Sequence, residues 1–234
     1  MDRLTRKELK KDVFAQEVGH TVEYVAEHRR QFIRFGSIAL VVLVLVAGYF
    51  YYSKRQHALR QRELAAATRI QDAGVGPPTG RESILTFPTV EEKNKAAIKA
   101  FTELASRHSG TEEGAIAQYY LGTVAADQGR LDDAANWLKS AAESGSPEYA
   151  SLANLSLAQV YHLQGKTAEA EKLLRALMAK PTIFVSKEQA IIMLARLLAS
   201  SRPDEARKLL EPLRTQPGAV SRVALTILGE LPKQ

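Results

Sequence analysis

The run Gly165-Lys166-Thr167 has the closing letters of a phosphate-binding loop, in which backbone N–H groups and a lysine cradle a nucleotide's phosphates. Such a loop also needs a strand before it and a glycine at position 160, where this chain has Val160. Gly74 and Gly76 are followed by Pro77 and Pro78, so they do not open a helix over a dinucleotide's pyrophosphate. The histidines stand at 20, 28, 57, 108 and 162, and no two show a metal-ligand spacing such as H-x-x-x-H. Asp132-Asp133 and Glu112-Glu113 could be acid–base pairs. Each also falls where a helix should begin, and the helix dipole favours carboxylates there without any catalytic role. The chain has no cysteine, which excludes disulfides, thiolate metal sites and a cysteine nucleophile. No catalytic constellation assembles, so the chain reads as a binding protein and not an enzyme, with no metal and no cofactor.

The elements behind these residues are helices in a repeat. At an offset of 36 residues, Leu121, Gly122, Gly129, Ala134, Leu138 and Ala141 fall on Leu157, Ala158, Gly165, Ala170, Leu174 and Leu177. A fixed period in the thirties, with small residues where helices touch and glycine at the turn, marks stacked helix pairs. Helices are expected over 91–107, 115–128, 131–144, 152–164, 167–180, 187–200, 204–215 and 221–231, broken where Gly or Pro cluster. In the third pair Ala195, Leu198, Ala206, Leu210 and Leu213 take the equivalent places, with one residue fewer between the helices. Gly165-Lys166-Thr167 is then an inter-helix turn. Trp137, in a second helix, is expected in the core.

These residues resemble the tetratricopeptide repeat. Leu121-Gly122 with Ala134, Leu138 and Ala141 fits its pattern, as does Leu157-Ala158 with Tyr161, Ala170 and Leu174. Gln118 departs from it where Trp is usual, Ala125 where Tyr is usual, and the closing prolines are displaced to Pro147 and Pro181. The resemblance implies an α-solenoid whose first helices line a groove for protein partners. Its groove positions would be Ile116, Tyr119, Thr123, Ala126 and Asp127; then Leu152, Leu155, Gln159, His162 and Leu163; then Gln189, Ile192, Arg196, Ala199 and Ser200. Tyr119, Leu155 and Ile192 share one place in successive repeats. They would either draw an apolar stripe along the groove or pack between neighbouring repeats.

Charge is divided along the chain. Residues 1–62 hold 12 Lys+Arg and 6 Asp+Glu, whereas residues 63–234 hold 20 of each, so the excess of +6 lies outside the repeats. A nucleic-acid binder would carry its basic surface on the folded domain, so nucleic acid is not expected as a partner. The basic residues instead flank Phe35 to Ser53, which is 19 residues without a charge. As a helix it is about 28 Å long, close to the roughly 30 Å of a hydrocarbon core. Its 10 Leu, Ile, Val and Phe residues favour insertion. Tyr49, Phe50, Tyr51 and Tyr52 make an aromatic belt at one end, with Phe32 and Phe35 at the other.

Orientation is not decided by charge. Near the span, Arg29, Arg30 and Arg34 oppose Lys54, Arg55, Arg60, Arg62 and Arg69, which puts the C-terminal side in the cytoplasm. Adding Arg3, Arg6, Lys7, Lys10 and Lys11 reverses it.

The expected organisation is all-α. An amphipathic helical segment (1–34) carries Phe14, Val18, Val22 and Val25 on one face, either docking on a surface or merely solvated. A transmembrane helix (35–53), a juxtamembrane helix with a Gly/Pro-rich loop (54–90) and the repeat domain (91–234) follow. This layout resembles the YfgM-like ancillary subunits of the bacterial protein-translocation channel. That resemblance implies a single-pass protein of the bacterial inner membrane with a cytoplasmic N-terminus and a periplasmic repeat domain. Its partners would be the translocation channel, periplasmic chaperones and emerging or unfolded client chains, with no small-molecule substrate. The other reading is an anchored scaffold for wall synthesis or outer-membrane biogenesis. If the span is inserted, the full-length protein stays with bilayers in an alkaline carbonate wash; release into the supernatant would refute it.

Overall fold

The computed structural model describes residues 29–77 and 85–232. The expected amphipathic stripe, Phe14 to Val25, and most of the Gly/Pro-rich loop lie outside them. The chain divides into two compact units that meet between Ala58 and Leu59.

The first unit contains the start of helix α1 (Arg29–Gln71), 43 residues or about 64 Å of helix. Its apolar residues from Phe35 to Tyr52 are exposed, Leu45 at 68% and Tyr51 at 73%. Its best 18-residue window has mean hydropathy 2.2 and nothing buried, so this helix is long and apolar enough to cross a membrane. The span and the juxtamembrane helix, expected as two elements, are one.

In the second unit the end of α1 joins the core. Leu64, Ala67 and Ile70 pack with Ala97, Phe101, Leu104 and Ala105 of α2 (Val90–Arg107) and with Ala117 and Leu121 of α3 (Glu112–Asp127). Polar contacts reinforce this. Arg60 Nε donates to Glu113 Oε2 at 3.0 Å, and Glu63 meets His108 Nε2 at 2.8 Å and Arg107 at 3.2 Å. Between α1 and α2 a two-residue parallel ladder joins Gly74–Val75 (β1) to Thr86–Phe87 (β2) and closes the ends of the loop.

The repeat follows as helix pairs α3 with α4 (Leu131–Ser144), α5 (Pro147–Leu163) with α6 (Thr167–Ala179), and α7 (Lys187–Leu198) with α8 (Pro203–Leu210). A short 3-10 turn (Glu211–Leu213) and α9 (Ala219–Glu230) end the stack. Each helix packs on the next, and α3 also touches α5. The 36-residue offset is visible in the backbone. Gly129 and Gly165 take φ of +74° and +75°, which glycine adopts without steric cost. Arg130 N donates to Ala125 O at 2.9 Å and Lys166 N to Tyr161 O at 2.8 Å, closing the two turns alike.

Helix ends differ from expectation where local chemistry intervenes. The α3 helix starts at Glu112 because Thr111 caps it, its side chain accepting from Gly114 N at 3.2 Å. The α5 helix starts at Pro147, five residues before the expected 152, because proline at the first position starts a helix without losing a hydrogen bond. The α8 helix stops at Leu210 because Pro212 has no N–H to continue it. Trp137 is half-buried against the α2–α3 cluster.

Helices α3 and α4 approach closely at Gly122. A Cβ there would lie 2.6 Å from Leu138 Cγ and 3.2 Å from its backbone nitrogen. Leu138 is fully buried and cannot swing away. Overpacking costs about 1–3 kcal/mol, and the helix-propensity gain of alanine over glycine, about 1 kcal/mol, offsets only part of it. Gly229, also helical, has nothing within 4 Å of an added Cβ. Gly122→Ala should therefore lower the thermal midpoint while Gly229→Ala raises it, read by circular dichroism on the full chain in detergent. Equal shifts would exclude the close approach as a constraint.

Candidate functional site: the face of the first helices

Helices α3, α5 and α7 each bring a column of side chains to one face of the stack, and the columns divide by burial. Ile116 and Leu155 are buried, at 7% and 9% exposure. Leu155 belongs to the cluster that joins α5 to α7. Ile116 lines a hollow of about 350 Å³ shared with Gln61, Leu64, Ala65 and Thr68 of α1. Tyr119, Leu152 and Ile192 are half-buried and pack against neighbouring core clusters. Tyr119 also meets Tyr120 edge-on at 5.9 Å. Thr123 is half-buried, its hydroxyl donating to Tyr120 O at 2.9 Å. Asp127, Gln159, His162, Gln189 and Arg196 are exposed.

Four of the expected groove residues meet in one place, the exposed Leu163 with three polar ones. Gln159 and His162 of α5 and Arg196 of α7 rim a cleft of about 410 Å³. Its remaining lining is Ala158, Leu163, Leu174, Met193 and Leu197. Leu174, 2% exposed, comes from α6 and closes the floor. The Gln159 amide reaches Met193 Sδ at 3.8 Å, a weak contact because thioether sulfur is a poor acceptor. Tyr119, Thr123 and Asp127 are not part of this cleft, nor are Leu152 and Gln189. Sequence columns missed Met193, Leu197 and Leu174. Each sits between groove positions or on a second helix, and only the packing of three helices shows that they share one hollow.

The floor is held by an ion network. Glu171, one turn before Leu174 on α6, pairs with Arg202 and with Arg175 at 2.7 Å. Glu205 on α8 pairs with Arg175 at 2.5 Å and Arg202 at 3.0 Å. Two carboxylates and two guanidiniums thus tie α6 to α8. The hydrogen bond from Arg202, with that from Arg175, holds the Glu171 carboxyl below its ordinary range against an opposing effect of partial desolvation.

The profile of the tetratricopeptide repeat-like domain family matches residues 33–208, and the chain belongs to that family. The matched stretch runs from the apolar helix to α8 and includes every residue of the cleft. Comparisons with curated proteins and with solved structures return no match. The family is one of protein–protein interaction modules.

Because Glu171 has a depressed pKa in the folded chain, its contribution to stability is complete above the unfolded carboxylate value, about 4.3. It is lost as pH falls through the lower folded value. Thermal midpoints measured downward from pH 6 should fall below about pH 4.3, and Glu171→Gln should flatten that acid limb while lowering stability near neutrality. An unchanged acid limb in the variant would show that the network does not hold α6.

Proposed function

We propose that the protein is a membrane-anchored interaction module associated with the bacterial translocation channel, and that the α3–α5–α7 face receives emerging or unfolded envelope proteins. The observation that carries this reading is the cleft between α5 and α7, with its apolar floor and its rim of Gln159, His162 and Arg196. Apolar floors with a few polar rim groups accept side chains of many sequences, which suits unfolded clients better than one folded surface. The layout of one long apolar helix ahead of the repeat stack supports an anchored receiver. In this reading the N-terminus is cytoplasmic, the repeats are periplasmic in the inner membrane, and a periplasmic chaperone shares the clients. No cofactor or small-molecule substrate takes part.

Leu155 is buried, so a photoreactive probe belongs at Gln159, which is exposed at the rim. Crosslinking from that position in native membranes should yield several extracytoplasmic chains together with subunits of the translocation channel. Adducts formed only with soluble cytoplasmic proteins would overturn both the topology and the role. One saturable adduct with a single folded envelope protein would replace the client-handling role with a scaffold.

A further inference from the structure

We infer that the α5–α7 cleft prefers a client segment in which a large apolar side chain stands next to a carboxylate. This rests on reading the first-helix face as the protein-binding surface.

Size admits the apolar part. A dry cavity of about 150 Å³ holds benzene, and the cleft is about 410 Å³, enough for one Leu, Met or Phe side chain with its backbone at the mouth. The floor is preformed, because Ala158, Leu174 and Leu197 are buried at 2%, 2% and 5% exposure. One wall is adaptable. Met193 is half-buried and unbranched, and Leu163 is 65% exposed, so a guest removes apolar surface from water on both sides.

Charge supplies the selection. Among the described residues no carboxylate lines the cleft, whose rim carries the Arg196 guanidinium and the His162 ring. Four other arginines on the stack are committed, Arg175 and Arg202 to Glu171 and Glu205, Arg130 to Asp133, and Arg214 to Glu211, while Arg207 and Arg222, which do not line the cleft, have no ion pair among the described residues. Arg196 has no ion pair with any described residue. It also borders a second hollow of about 220 Å³ lined by Ala199, Thr226, Ile227, Glu230 and Leu231. Glu230 makes no ion pair with it, so the planar fork of donors remains available to a guest carboxylate on the α5 side. A basic segment in the same place would set like charge against Arg196.

The test uses the full chain in a non-ionic detergent and fluorescence anisotropy with labelled peptides that differ only in one tripeptide: Glu-Leu-Glu, Lys-Leu-Lys or Glu-Ala-Glu. The Glu-Leu-Glu peptide should bind about tenfold more tightly than either of the others. R196Q should erase the difference between the acidic and basic Leu peptides, and R196E should reverse it. Because Arg196 is exposed and unpaired, both variants should keep the wild-type thermal midpoint. Equal affinity for the acidic and basic Leu peptides, or a preference that R196E leaves intact, would overturn the inference. If crosslinking at Gln159 still captures client chains in that case, the client-binding role survives without the preference. Loss of both peptide binding and capture would remove both.

Discussion

Neighbouring helices can stack only because each first helix carries a small residue where a leucine of its second helix must sit. Gly122 lies under Leu138, and Ala158 and Ala195 share a core cluster with Leu174 and Leu210. Those leucines recur every 36 residues and are at most 2% exposed. A larger side chain under any of them would push two backbones apart, and close-packed interiors transmit such a displacement instead of absorbing it. The cleft depends on the same spacing. Its floor residue Leu174 is the leucine of the middle pair, so floor position and helix spacing are fixed together.

Much of this was legible in the sequence because the repeat writes its geometry twice. The offset, the glycine turns at 129 and 165 and helix 131–144 appear in the structure where the pattern puts them. The missing parts have local or tertiary causes. Pro147 falls between expected helices and Pro212 inside the expected helix 204–215, yet the first begins α5 and the second ends α8, since a proline is tolerated only where no helical N–H is needed. The end of α1 reads as Ala-rich helix and nothing more. Its role in the core appears only when Ala67 is set against Phe101 and Leu121, because a helical pattern shows which face is apolar but not what will cover it.

The same limit governs the site. Tyr119, Leu155 and Ile192 form one column, and Thr123, Gln159 and Arg196 form the column four residues later. Four residues of helix amount to about 400°, so the second column is turned only about 40° from the first. In the middle repeat that rotation separates buried Leu155 from exposed Gln159. Sequence periodicity placed both columns on the first-helix face without resolving 40°. Packing against α7 divides them, and of the polar column Gln159 and Arg196 reach the cleft while Thr123 does not.

A single cleft of this kind, receiving clients as proposed, would bind weakly, which bears on why it would be joined to a span. Burying one large apolar side chain contributes about 1.5–3 kcal/mol, and a charge-assisted hydrogen bond contributes about as much again. Lost translational and rotational freedom costs at least about 4 kcal/mol, so little remains for a freely diffusing client. For a client emerging at the same bilayer, confinement raises the effective concentration toward the millimolar range. On the proposed reading, a weak, chemically selective hollow would be occupied when chains are being delivered and would empty when they leave. Tight binding would remove that second property, because affinity gained at a fixed association rate is gained by slower release.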